Sequence, residues 1–73
     1  MKMAHDDVDF TGMIVRHTDM GFWFRGRTWE PHEQVFLPRS QVAVVHRSER
    51  EGYKAGEVTV TVPYWLATKE GMI

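Results

Sequence analysis

Apolar and polar positions alternate along most of this chain with the two-residue period of a β-strand. The clearest stretch is Glu57-Val58-Thr59-Val60-Thr61-Val62, which places three valines on one face and polar side chains on the other. Residues 10–17 read as a second strand, and the continuous run Met13-Ile14-Val15 suits a strand covered on both faces. His17-Thr18-Asp19 makes a turn into a strand over 20–25, which Gly26 ends or bulges. Residues 27–33 contain Pro31 and polar side chains, and form a loop too long for a tight hairpin, hence a candidate working surface. Gln34-Val35-Phe36-Leu37 is a short strand stopped by Pro38, which has no N–H to give to a ladder. Val42-Ala43-Val44-Val45-His46 is another, followed by a charged loop punctuated by Gly52 and Gly56.

The pattern changes only at the end. Pro63 fits the first position of a helix, where a missing N–H costs nothing, and Gly71 fits the left-handed position that closes one. Met72 can then fold back on Leu66 or Ala67. Two helical turns are marginal in isolation, so this helix is expected to form because Trp65 and Leu66 dock on the sheet. Five short strands and one short helix predict a mainly β fold: a small five-stranded antiparallel sheet or an SH3/OB-like barrel with a C-terminal helix. Closure into a barrel would remove edges that otherwise pair between molecules. Residues 1–8 are expected to be a flexible N-terminus and 9–73 a single small domain.

Composition narrows the possible functions. Without cysteine, neither a disulfide framework nor a thiolate metal site can support so short a chain; three Trp, four Phe and two Tyr supply the bulky apolar area. The N-terminal stretch has no apolar run suited to a signal peptide or a membrane span, which predicts a soluble, cytoplasmic protein with no membrane partner. Nine basic against ten acidic side chains give a net charge of −1. That balance argues against a dedicated non-specific nucleic-acid binder, whose affinity rests on phosphate contacts, but leaves room for a local basic patch.

One constellation points to recognition. At strand spacing Trp23, Arg25, Arg27 and Trp29 share a face, with Met20, Phe22 and Phe24 on the other. Interleaved indoles and guanidiniums suit stacked bases and phosphates, and equally a protein hot spot, where Trp and Arg are enriched. The plain alternative is that Trp23 belongs to the core, the arginines are solvated and Gly26 breaks the register. His32 lies in the same long loop and completes the candidate binding set. Glu30, His32 and Glu33 together hint at acid–base chemistry, which needs a desolvated concavity that a tiny β fold rarely supplies. His5, His17, His32 and His46 lack the spacing of a zinc site, and the mixed-sign run 47–51 reads as a solvated loop. No phosphate loop, nucleophile elbow or metal signature is present, so neither cofactor nor catalytic residues are expected.

Two stretches carry a family resemblance. Phe36-Leu37-Pro38-Arg39-Ser40-Gln41-Val42 resembles the aromatic-aliphatic-Pro-Lys/Arg-Ser-Gln motif of small, uncharacterised phage and prophage proteins. Val62-Pro63-Tyr64-Trp65-Leu66-Ala67, with Gly71-Met72-Ile73, is similar to their Trp-Leu-Ala helix ending in glycine. The likeness runs in order over 10–73, with Phe36 where the family more often has Trp and a longer 26–33 loop. It implies a non-enzymatic accessory protein of a mobile element, binding a host protein or nucleoprotein, for example to inhibit a host defence nuclease in the manner of an anti-CRISPR. The alternative is a single-stranded nucleic-acid binding module of phage recombination or replication. Either could act as a monomer or a homodimer. Plain physics also assigns these motifs a role in the fold, with Ser40 bonding nearby backbone after Pro38.

Overall fold

The structure, a computed structural model, describes residues 7–73. Five strands, β1 (Asp7–His17), β2 (Gly21–Gly26), β3 (Val35–Pro38), β4 (Ala43–His46) and β5 (Val58–Pro63), form one antiparallel sheet, and a short helix α1 (Tyr64–Lys69) follows directly. Their order across the sheet is β3-β2-β1-β5-β4. The sheet is open: β3 and β4 are its edges, and no ladder joins them. It must nevertheless be strongly coiled. The link from Pro38 to Ala43 can span at most about 18 Å, whereas the edges of a flat five-stranded sheet lie roughly 19 Å apart. That link also spends part of its reach on a turn, with Gln41 N–H bonded to Pro38 O.

Register follows the alternation seen in the sequence. Val8, Phe10 and Gly12 of β1 face Val62, Val60 and Val58 of β5, while Phe22 and Phe24 of β2 face Leu37 and Val35 of β3. Val44 of β4 faces Val60. These residues line the inner face, which α1 covers with Leu66 and Ala67. Phe22, Phe24, Leu37, Val60 and Val62 are fully buried there. The other parity, Thr11, Met13, Trp23, Arg25, Phe36, Thr59 and Thr61, makes the outer face.

Several sequence expectations shift. β1 begins at Asp7, because Asp7 and Val8 still find partners in Pro63 and Val62, so the flexible segment expected over 1–8 cannot reach these two residues. Residues 1–6 of that expectation lie outside the described residues. β2 ends at Gly26, one of the two outcomes expected there, and a further irregularity lies in β1, where the register slips between Ile14 and Arg16 and leaves Val15 unpaired. The run Met13-Ile14-Val15 is therefore not covered on both faces: Val15 is exposed and the other two are half-buried. Met20, 76% exposed, precedes β2 in the turn and does not share a face with Phe22.

The helix ends as expected and begins one residue late. Pro63 closes β5 and occupies the N-cap position. At the other end Gly71, with φ of 75°, adopts the left-handed conformation, Gly71 N–H bonds Thr68 O at 3.1 Å, and Met72 N–H bonds Ala67 O at 2.8 Å. This is a Schellman closure, with Met72 packed on the core. Trp65, expected to dock on the sheet, is 56% exposed. A six-residue helix can lay only one narrow face on its support, and Leu66 and Ala67 occupy it.

The motif around Pro38 has a structural role. Leu37 is core, and Arg39 latches the turn before β2: its N–H bonds Met20 O, and its Nη2 donates to Thr18 O and Gly21 O. Thr18 Oγ1 accepts from Gly21 N–H in the same turn. The bond expected from Ser40 is not seen among the described residues; the arginine makes the latch.

Candidate functional site

The outer face of the sheet gathers aromatic rings and guanidiniums. Trp23 lies opposite Phe36 on β3 and opposite Arg16 on β1. Its indole meets the Phe36 ring edge-on at 5.7 Å, and the Arg16 guanidinium lies over it at 5.6 Å. The bulge at Val15 produces this: without the slip, Arg16 would have fallen on the inner parity. Val15, Arg16, Trp23 and Gln34 line a shallow cleft of about 400 Å³ here. One pair further along, Arg25 lies opposite Met13 and donates Nη1 to Pro31 O at 3.2 Å, which ties the 27–34 loop to the strand.

A second cluster continues the same face. Arg27 grips Glu57 with two hydrogen bonds, Nε to Oε2 at 2.9 Å and Nη2 to Oε1 at 2.7 Å. Glu57 is only 3% exposed and also accepts from Lys54 N–H. The Arg27 hydrogen bonds, with help from Lys54 N–H, hold the Glu57 carboxyl down at about 2. Tyr53 carries two guanidiniums over its ring, Arg27 at 5.5 Å and Arg47 at 5.1 Å. Arg47 Nε donates to Thr59 Oγ1 at 2.9 Å, and Thr59 Oγ1 pairs with Thr11 Oγ1 at 3.0 Å. Arg47, expected in a solvated loop, is instead an ordered part of this face because Thr59 and Tyr53 both engage it.

The five candidate binding residues divide between two places. Trp23, Arg25 and Arg27 share the outer face as the spacing predicts. Trp29 does not. The strand period stops at Gly26, and the turn closed by Trp29 N–H to Gly26 O carries the indole round to the inner side. There it packs edge-on against Phe24, with ring centroids 5.7 Å apart, and covers Gly26 so closely that a Cβ at that position would sit 2.5 Å from Cε2. His32 is exposed and sits with Trp29, not with the arginines. A cleft of about 540 Å³ is lined by Trp29, His32, Glu33, Gln34, Val35 and the end of α1 at Glu70 and Gly71.

The Glu30, His32 and Glu33 grouping has a structural use: Glu33 Oε1 accepts Glu30 N–H at 2.9 Å and Glu33 N–H bonds Glu30 O. His17 and His46 are exposed like His32, and His5 lies outside the described residues. No group of three potential metal ligands forms among the described residues.

Five members of the outer face are not among the candidate binding residues named from the sequence: Arg16, Phe36, Arg47, Tyr53 and Glu57. Glu57 had a signal, since it directly precedes β5 on the polar parity of Thr59 and Thr61. Phe36 had one too, once β3 pairs with β2. Arg16 had none, because a bulge reverses its parity. This surface presents half-buried rings, guanidinium donors and a buried carboxylate that neutralises one of them, groups that suit non-covalent contact. Comparison with protein-family models, curated proteins and solved structures found no match to this chain.

Proposed function

We propose that this protein is a non-enzymatic accessory protein of the phage type that binds a host protein or nucleoprotein complex through its outer sheet face. Inhibition of a host defence nuclease is the specific form of that role. One observation carries the protein-binding reading: guanidiniums already cover the rings, Arg16 over Trp23 and both Arg27 and Arg47 over Tyr53. A base would have to displace them before it could stack, whereas a protein can pack against a preorganised Trp–Arg–Tyr patch as it stands. Four arginines against Asp7, Asp9 and Glu57, the last already paired with Arg27, make an acidic surface the matching partner.

Affinity purification from lysates of candidate hosts, comparing the native chain with Arg16→Ala/Trp23→Ala, tests this reading. The native chain is expected to retain a specific partner that the double variant loses by tenfold or more. Equal recovery by both chains would remove the outer face from the role. No partner from any host would remove the role itself.

The second reading, a single-stranded nucleic-acid binding module, is favoured by the concentration of arginine on one face of a near-neutral chain. It predicts quenching of tryptophan fluorescence by oligonucleotides, with affinity falling as salt rises. A flat titration at low salt excludes it.

A further inference from the structure

The cleft on the inner side of the molecule has a chemistry opposite to that of the outer face. The half-buried Trp29 indole lines it. One side of that ring is closed by Gly26, its edge is fixed against Phe24, and the ring also lines the open cleft. An aromatic ring held this firmly gives up little rotamer freedom when a ligand settles on it. Two carboxylates stand at the rim from separate parts of the chain, Glu33 in the 27–34 loop and Glu70 at the end of α1. Neither is in an ion pair among the described residues; Glu33 spends one oxygen on Glu30 N–H, which holds its side chain in place. Among the described residues no lysine or arginine lines the space; the remaining walls are His32, Gln34, Val35 and Gly71. A π-face with two carboxylates and no cation is complementary to an organic cation, which gains from the ring quadrupole and from the negative charges together.

We infer that this cleft binds an alkylammonium or guanidinium group, with Trp29 as its platform and Glu33 and Glu70 as its counter-charges. A lysine or arginine side chain of a bound protein and a free polyamine share that chemistry. The inference does not depend on the outer face, since Trp29 and Trp23 lie on opposite sides of the sheet.

The indole Nε1–H resonances of the three tryptophans provide the readout in the intact protein, with the Trp29 signal assigned from Trp29→Phe. The probes are N-acetyl-arginine amide, N-acetyl-lysine amide and spermidine, with N-acetyl-norleucine amide as the uncharged control. The Trp29 signal is expected to move saturably with at least one cation and not with the control. Glu33→Gln/Glu70→Gln is expected to weaken that response about tenfold, while unchanged Trp23 and Trp65 signals report that the fold is intact. Response to the amides alone assigns the site to a protein side chain, and response to spermidine alone assigns it to a free polyamine. No selective Trp29 shift at tens of millimolar cation, an equal shift with the control, or an undiminished response in the double variant would overturn the inference.

Discussion

Gly26 and Trp29 show how one residue divides the candidate site. The missing side chain at Gly26 lets the indole lie directly on the strand, and this contact turns Trp29 away from the outer face. Gly26→Ala is expected to destabilise the protein by about 1–3 kcal/mol through overpacking. Because the three atoms nearest an added Cβ all belong to the Trp29 ring, the same substitution should cost markedly less in a Trp29→Ala background. Urea denaturation of the four proteins in the cycle measures this, and additive losses would refute the contact as the cause. The sequence shows both residues but not that they meet, since the strand period continued past Gly26 places Trp29 on the wrong side.

At the level of elements, α1 is legible at its end and misleading in its middle. Pro63 and Gly71 mark its boundaries to within a residue, because left-handed backbone at Gly71 and the missing N–H of proline are local requirements. Gly71→Ala is expected to cost about 1 kcal/mol, since a Cβ is disfavoured at φ of 75° although the surrounding space is empty. Trp65→Ala is expected to change stability by less than about 0.5 kcal/mol, the figure for an exposed site and not for a core one. Thermal denaturation of the two variants distinguishes the cases, and a loss of several kcal/mol for Trp65→Ala would show that the indole is docked. Which of two adjacent apolar residues faces the sheet depends on how the helix rolls onto it. Local sequence does not encode that.

Across the whole molecule, the Arg27–Glu57 pair joins the end of β2 to the segment that enters β5, and Tyr53 and Arg47 stack over the same junction. Its contribution depends on pH in a definite direction. Glu57 titrates at about 2 in the fold against an ordinary 4.5, so its stabilisation is complete above about pH 4.5 and is lost as pH falls toward 2. Equilibrium unfolding followed from pH 6 to pH 2 is expected to lose stability over that window, and Glu57→Gln to flatten the acid limb. A native and a Glu57→Gln profile of the same shape would refute the assignment.

The sequence by itself determined the strand content, the antiparallel sheet, the closing helix and most of the inner-face core. Alternation and chain breakers act over a few residues, so the sequence displays them directly. It also placed Trp23 and Arg25 together, since they lie on one strand, and Arg27 follows them one residue past its end. Tertiary structure decided the rest: the β1 bulge that brings Arg16 over Trp23, the return of Trp29 to the inner side, and the exposure of Trp65. It also brought Glu57 under Arg27, a pair separated by thirty positions in sequence. Each of these depends on a register slip, a turn or a packing choice made between distant segments, and such choices reverse the side on which a residue appears without changing the pattern that predicts it.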